Sequence, residues 1–279
     1  MDLGYLFSED EQLLLLFGGP YSNLNALLAL QKIANQLAIA PDHIICTGDI
    51  VAYCGQPSET VDAIRDWGIH VLMGNCEQSF ANQANDCGCG FDEGSSCDLL
   101  SVEWFDFANT QLNQDQRQWF AQLPRTMHFY FFERKCQVVH GSVTSINQFI
   151  FASASNDAFS KQLSYTDADI VIAGHSGIPF SKTFGNRLWH NAGAIGMPAN
   201  DGTQHTWYSI ISAKQGYIKI ETLPLQYDAA GAATAMREAG LDNGYAKALE
   251  SGFWPSMDVL PEVEQGKQGQ ALEFAPVYF

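Results

Sequence analysis

Residues 43–57 read HIICTGDIVAYCGQP, an apolar run that ends in a Gly-Asp turn and is followed by a proline. The apolar run at 43–47 predicts a buried strand. Pro57 and the Ser and Glu that follow it are helix-start signals, so a helix is predicted over 57–67. Similar patterns on either side of this stretch predict two further strands, at 13–17 and 69–73, and one further helix, at 23–37. The order β-α-β-α-β predicts a parallel sheet with right-handed crossovers.

Glycine and polar residues stand just past the carboxyl end of each predicted strand, including two later strands at 137–139 and 169–173. Open α/β sheets bind their ligands beyond these strand ends, so we expect the segments to meet in one site. In chain order they are Gly18-Gly19-Pro20-Tyr21-Ser22-Asn23, Gly48-Asp49, Gly74-Asn75-Cys76-Glu77, His140-Gly141-Ser142 and Gly174-His175-Ser176-Gly177.

In this order the segments resemble the signature of calcineurin-like metallophosphoesterases, which are hydrolases built around two metal ions. The stretch 190–198, HNAGAIGMP, is similar to a further turn of that family, and the resemblance covers residues 13–215. It implies an α/β fold, a two-sheet αββα sandwich with mixed parallel and antiparallel sheets. We expect a single domain over 1–279, with a core at about 13–222 and a C-terminal extension at about 223–279.

The remaining segments are predicted from composition and periodicity. A Gly- and Cys-rich loop is predicted at 78–97, and helices are predicted at 99–122 and 232–240. Three antiparallel strands in a second sheet are predicted at 187–191, 206–212 and 217–221.

The resemblance also implies which residues bind metal. In the family an acidic residue bridges the two ions, and Asp49 matches it. One of the ions is further bound by an Asn and two His, which Asn75, His140 and His175 match. Carboxylate and amide oxygens are hard ligands and imidazole nitrogen is a borderline one, a combination that suits Mn, Zn or Fe. This ligand set is complete.

The other ion lacks most of its ligands. Gly19, Tyr21 and Gly177 stand where the family has an Asp and two His. Glycine has no side chain to coordinate with, and tyrosine binds a metal only as phenolate, which its pKa of about 10 disfavours. All three losses fall on one ion, so the sequence predicts a remodelled centre with one or two ions.

Cys76 stands where the family usually has a His that stabilises the transition state and protonates the leaving group. Some phosphodiesterase-like members of the family also carry Cys there. Asp49, Cys76 and Glu77 are therefore the candidate catalytic residues, with Glu77 positioning solvent or a ligand.

Four of the seven cysteines, Cys76, Cys87, Cys89 and Cys97, fall within one short stretch. Together with Tyr21 they are candidates to replace the missing ligands, and thiolates would favour Zn or Fe over Mn or Mg. Their spacing matches no structural zinc pattern, so an ordered loop with free or paired thiols is the alternative. The chain starts without a secretory signal pattern, which predicts reduced cysteines and a cytoplasmic protein.

The net charge is −17, from 31 acidic and 14 basic residues. Such a surface repels a phosphate backbone, so no nucleic-acid partner is expected, and no apolar stretch approaches membrane-spanning length. A small phosphate ester is the expected partner, and a homo-oligomer is left open.

Three functions stay open at this point. The first is metal-dependent phosphoester hydrolysis, with phosphodiesters favoured because of Cys76 and the few basic residues. The second is a catalytically silent relative that binds a metal, a nucleotide or a protein. The third is a thiol-based metal or redox sensor that uses the cysteine loop.

Overall fold

The alternation of side chains along one central strand, residues 13–17, explains how the layers of the fold arise. Leu14 and Leu16 lie in a core between two sheets, whereas Leu15 and Phe17 lie in a core beneath helices. The structure, a computed structural model, describes residues 1–7, 13–214 and 216–279.

The strands and helices of the described residues are numbered in chain order. The strands are β1 (Asp2–Phe7), β2 (Leu13–Phe17), β3 (Ile44–Cys46), β4 (His70–Val71), β5 (Thr126–Phe131), β6 (Arg134–Val139), β7 (Ile170–Ala173), β8 (Phe180–Phe184), β9 (Arg187–Asn191), β10 (Thr206–Lys214), β11 (Tyr217–Leu225) and β12 (Val277–Tyr278). The helices are α1 (Leu24–Gln36), α2 (Pro57–Trp67), α3 (Asn75–Ala81), α4 (Ser96–Gln111), α5 (Gln114–Gln122), α6 (Asn156–Leu163), α7 (Ala229–Glu238), α8 (Gly244–Ser251) and α9 (Glu262–Gln265).

The strands form two mixed sheets. Sheet I has the order β12-β11-β10-β2-β3-β4, in which β2, β3 and β4 are parallel and β10 to β12 are antiparallel to their neighbours. Sheet II has the order β1-β5-β6-β7-β9-β8, with β6, β7 and β9 parallel. Residues of both sheets share the core that contains Leu14 and Leu16. The predicted α/β class and two-sheet sandwich with mixed pairing are confirmed.

Within this fold the predicted grouping of three strands is wrong. Strand β9 pairs in parallel with β7 in sheet II, whereas β10 and β11 pair antiparallel in sheet I beside β2. Apolar periodicity identifies a strand and its buried face, but it carries no information about the partner strand.

Two further segments differ from the prediction. The helical region 99–122 is two helices, because Asn113 caps α5: its side chain accepts from the Gln116 N–H at 2.9 Å, and Gln116 accepts from the Asn113 N–H at 3.0 Å. The predicted loop at 78–97 begins inside α3, which continues to Ala81.

The residues after β11 return to the strand ends of sheet I. Helix α7 packs on α1, Tyr245 of α8 lies in the core beneath the helices, and the partly buried Trp254 packs against that core. Division of the chain into a core and an extension stays a prediction. Among the described residues, none of the helices has the length and apolar character needed to cross a membrane.

Candidate metal centre

Three buried side chains meet where the carboxyl ends of β3, β6 and β7 converge from the two sheets. Their ligand atoms lie within 4.8 Å of one another, and they belong to Asp49, His140 and His175. The Asp49 Oδ2 lies 3.1 Å from His140 Nε2 and 3.9 Å from His175 Nδ1. Asp49 and His175 both have left-handed backbone, with φ of 58° and 61°, which non-glycine residues adopt mainly at constrained sites.

One hydrogen bond orients the His140 ring. Its Nδ1 lies 2.6 Å from the Thr47 carbonyl, so Nδ1–H donates to that oxygen and Nε2 faces Asp49. Burial alone would lower the pKa of His140, but the Asp49 carboxylate and the Thr47 carbonyl outweigh burial and raise it. Positive charge is therefore favoured at Nε2.

His175 is oriented in the opposite sense. Its Nε2 lies 3.1 Å from the Asn147 carbonyl and donates to it, which leaves Nδ1 facing Asp49. Nδ1 is buried without a hydrogen-bond partner, and burial lowers the pKa of the ring. The Phe149 ring stacks on His175 with centroids 4.1 Å apart and fixes its plane. A buried nitrogen lone pair thus points into the centre.

Asn75 adds a fourth donor. As the first residue of α3 it is held through Nδ2, which donates to the Cys87 carbonyl at 3.0 Å. Its Oδ1 therefore turns toward His140, 3.1 Å from Nε2. The amide could not present its nitrogen to the centre without losing the bond to Cys87.

The four predicted ligands are therefore brought together, and the donor set fits a metal ion. Two imidazole nitrogens and two oxygens lie close together at the centre, a set suited to Zn, Fe or Mn. These nitrogen and oxygen atoms repel one another unless a cation or a proton lies between them.

Glu77 does not point into this centre. It is fully buried, and its carboxylate accepts from the backbone N–H groups of Asp49, Ile50, Val51 and Gly74 at 2.8 to 3.3 Å. Burial and the negative charge of Asp49 raise its pKa to about 7. The carboxylate clamps the turn after β3 to the start of α3.

Cys76 contacts Asp49 through its backbone. Its N–H donates to Asp49 Oδ1 at 3.2 Å, so one carboxylate oxygen is fixed while the other faces the two histidines. Burial, followed by the charges of Asp49 and Glu77, raises the pKa of the Cys76 thiol well above its usual value. At neutral pH the thiol is therefore uncharged.

Aromatic rings lie against Gly19 and Gly177, two of the positions without a side chain for coordination. The Tyr21 ring lies over Gly19, where a Cβ would fall 2.6 Å from Tyr21 Cε1 and 2.7 Å from Cε2. A Cβ on Gly177 would lie 3.5 Å from Trp254 Cζ2 and 3.9 Å from the Tyr21 hydroxyl. Burial, then the Asp49 charge, raises the pKa of Tyr21 well above its usual range, which opposes phenolate ligation.

The cysteine loop holds a disulfide. Cys87 and Cys89 are bonded to each other, so in this form they offer no thiolate, and the expectation that all cysteines are reduced is not met. Cys97 is buried and free, and it lines the cavity described next.

An aromatic cavity adjoins the centre at His175. Its lining includes Tyr21, Tyr53, Phe91, Phe149, Tyr245 and Trp254. Sequence reasoning missed Asn147, Phe149 and Trp254, because none lies in a segment next to a predicted strand end. Tyr53 does lie in the quoted stretch 43–57, but apolar periodicity gave no reason to place it in a site.

Two comparisons with known proteins concern the fold. A metallophosphoesterase from Sphaerobacter thermophilus superposes with a TM-score of 0.66 at 22% identity, covering 86% of this chain and 99% of that one. The hypothetical protein PH1004 from Pyrococcus horikoshii OT3 gives a TM-score of 0.71 at 16% identity, covering 86% and 98%. At these identities the likeness supports the fold.

Sequence comparison adds the family. The uncharacterized protein MJ0912 of Methanocaldococcus jannaschii is 25% identical over 225 residues, which cover 75% of this chain and 85% of that protein. The family model of the calcineurin-like phosphoesterase superfamily domain matches residues 25–215, which is more than half of the chain. This region contains the four converging donors and begins after Gly19 and Tyr21. The chain belongs to the calcineurin-like phosphoesterase superfamily.

Proposed function

We propose that this chain is a phosphodiesterase that works with one divalent metal ion. The observation that carries the proposal is that each donor group is held by a hydrogen bond at one atom, which leaves its other polar atom close to those of the other groups. The proposed ligands are Asp49, Asn75, His140 and His175.

The filled space beside this point supports a single ion. Tyr21 covers Gly19, and Trp254 and Tyr21 approach Gly177, so these positions present ring carbons and a neutral hydroxyl. The disulfide between Cys87 and Cys89 removes two of the proposed substitutes. We expect one equivalent of Mn, Zn or Fe per chain.

A bound divalent ion would polarise a phosphoryl oxygen and lower the pKa of an adjacent water. The chain's own residues supply the rigidity. Glu77 holds the Asp49 turn, the Cys76 N–H fixes one Asp49 oxygen, and Phe149 fixes the His175 ring. We propose Glu77 and Cys76 as positioning residues, since both act here through Asp49.

The charge of the surroundings supports a diester substrate. A diester carries one negative charge, whereas a monoester carries nearly two at neutral pH. Within the described part of the chain, the residues that line the cavity include no Lys or Arg to neutralise a second charge. The net charge of −17 also disfavours a substrate with two negative charges.

The second candidate is a catalytically silent relative, favoured by the aromatic filling of the vacated metal position. A single ion stabilises the attacking and leaving oxygens less completely than a pair does. Binding without turnover would then be the remaining role of the centre.

The test combines metal content, measured by mass spectrometry, with hydrolysis of bis(4-nitrophenyl) phosphate and of 4-nitrophenyl phosphate. The variant is Asp49→Asn, because Asn tolerates the left-handed backbone at this position. The matched control is Asp66→Asn, an exposed acid on α2. Circular dichroism verifies that both variants fold.

We expect one metal per chain and faster diester than monoester turnover in the wild type and the control. Asp49→Asn should lose at least about 100-fold in metal affinity, with a matching loss of turnover. Metal binding without turnover in the wild type would support the silent candidate. Two metals per chain would overturn the mononuclear centre.

A further inference from the structure

Six of the residues that line the aromatic cavity beside His175 lie outside the region that the family match covers. The matched region is 25–215, whereas Tyr21 precedes it and Tyr245, Trp254 and Ser256 follow it. They line the cavity together with Phe149 and His175. Part of the cavity lining therefore comes from segments outside the superfamily domain.

Trp254 is held in a fixed orientation at the cavity. Its Nε1–H donates to the Pro198 carbonyl at 2.6 Å, and its backbone N–H donates to Asn200 Oδ1 at 2.9 Å. A side chain that is held at its ring nitrogen and attached to a fixed backbone loses little conformational freedom when a ligand packs on it. Trp254 is thus a preorganised flat surface.

The tyrosines form a second rigid group. Tyr53 packs on Tyr21 with ring centroids 4.9 Å apart and on Tyr245 with centroids 4.5 Å apart. Burial keeps the hydroxyls of all three neutral. Within the described chain the lining contains no Lys, Arg, Asp or Glu, so a ligand is held there by aromatic packing and a few neutral polar groups.

From this geometry we propose that the cavity binds a planar aromatic group of the substrate, either a nucleobase or an aryl ring. The ring packs against Trp254 while the phosphate lies at the centre formed by Asp49 and His175, which opens into the same cavity. The position of the phosphate rests on the proposed function, whereas the binding of the ring rests on the cavity alone. The net charge of −17 repels a phosphate group, whereas the packing of an uncharged ring adds affinity that does not depend on charge.

Rings that pack on protein aromatic side chains gain about 5- to 150-fold in affinity for each ring. Binding is measured by calorimetry with two probe pairs that the protein cannot hydrolyse. Phenylphosphonate is compared with methylphosphonate, and adenosine is compared with ribose. The metal-loaded wild type, Trp254→Ala and Trp254→Phe are tested, with Phe253→Ala as the neighbouring control whose ring is outside the cavity lining.

We expect the wild type to prefer the ring-bearing member of at least one pair. Trp254→Ala should lose about 5- to 150-fold of the affinity for that member and leave its partner probe unchanged. Trp254→Phe should restore most of the loss, and Phe253→Ala should behave as the wild type. Preference for adenosine identifies a nucleobase, and preference confined to phenylphosphonate identifies an aryl ring.

Equal affinity within both pairs, or an equal loss for both members in Trp254→Ala, overturns the proposal. Because adenosine carries no phosphate and the phosphonates are not cleaved, these results do not depend on turnover. A ring preference without any diester hydrolysis counts against the proposed enzyme and leaves the cavity assignment standing.

Discussion

The Glu77 carboxylate accepts a hydrogen bond from the backbone N–H of Asp49 at 2.8 Å. Three further N–H groups, those of Ile50, Val51 and Gly74, donate to the same carboxylate. The left-handed Asp49 is thereby fixed to α3, the helix that begins with Asn75. Two of the proposed metal ligands, which follow separate strands, are held in place by one buried acid.

Glu77→Gln should lower both the stability and the metal affinity. The amide NH₂ would face backbone donors that now bond to a carboxylate, which should lower the free energy of unfolding by about 3 kcal/mol. Loss of this support should also reduce metal affinity by about 10- to 100-fold. Urea unfolding and calorimetric metal titration measure the two effects.

The matched control is Glu93→Gln, an exposed acid in the loop after α3. Saturating metal should restore turnover in Glu77→Gln if Glu77 acts by positioning Asp49. Persistent loss of turnover at full metal occupancy would instead assign Glu77 a direct catalytic role.

Gly19→Ala should be strongly destabilising while Tyr21 is present. The new Cβ would lie 2.6 Å from Tyr21 Cε1, and Gly19 has a φ of 41°. Overpacking and left-handed strain together should lower the free energy of unfolding by about 3 kcal/mol. In a Tyr21→Ala background only the backbone strain remains, so the same substitution should cost about 1 to 2 kcal/mol. Additive effects in this double-mutant cycle would show that the ring does not occupy the vacated position.

The Cys87→Ser/Cys89→Ser variant should retain one metal per chain. The Asn75 amide is held mainly by the backbone carbonyl of Cys87, which survives the substitution. We therefore expect metal affinity to fall by less than about 10-fold, at the lower limit for changes next to a metal ligand. Metal content measured before and after reduction of the wild type provides the comparison. Loss of the metal in the variant would identify the thiols as ligands and revive the metal or redox sensor.

The strand-end residues could be predicted because parallel strands bring their carboxyl ends to one edge. Asp49, His140 and His175 each follow a strand. Strands β6 and β7 are parallel neighbours in sheet II, and the packing of the two sheets brings the end of β3 to theirs. Local patterns also identified α1 and α2 with nearly correct ends. These features depend on short-range sequence.

Other features depend on contacts between residues far apart in the chain. The sequence did not indicate that Glu77 would turn toward the backbone of residues 49–51, or that Trp254 would reach Gly177. Nor did it indicate that β10 would join β2, about two hundred residues earlier. Such contacts are selected by packing of the whole fold, which no local pattern encodes.

His190 should make the protein less stable in mild acid. It is fully buried between the sheets, with Nδ1 2.9 Å from Ser181 Oγ and Nε2 3.0 Å from Ser209 Oγ. Burial lowers its pKa to about 4, below the value of about 6.5 for an unfolded chain. The unfolded state therefore binds the proton more readily between pH 6.5 and 4, and stability is lost as the pH falls through this window.

The expected loss from this one group is about 2 kcal/mol between pH 7 and pH 5. His190→Gln cannot titrate, so the difference in unfolding free energy between wild type and variant should shrink by about that amount over the same interval. Urea unfolding at both pH values measures the difference while the other acids titrate equally in both proteins. A difference that stays constant from pH 7 to pH 5 would mean that His190 has the same pKa in the folded and unfolded states, so that burial between Ser181 and Ser209 does not lower it.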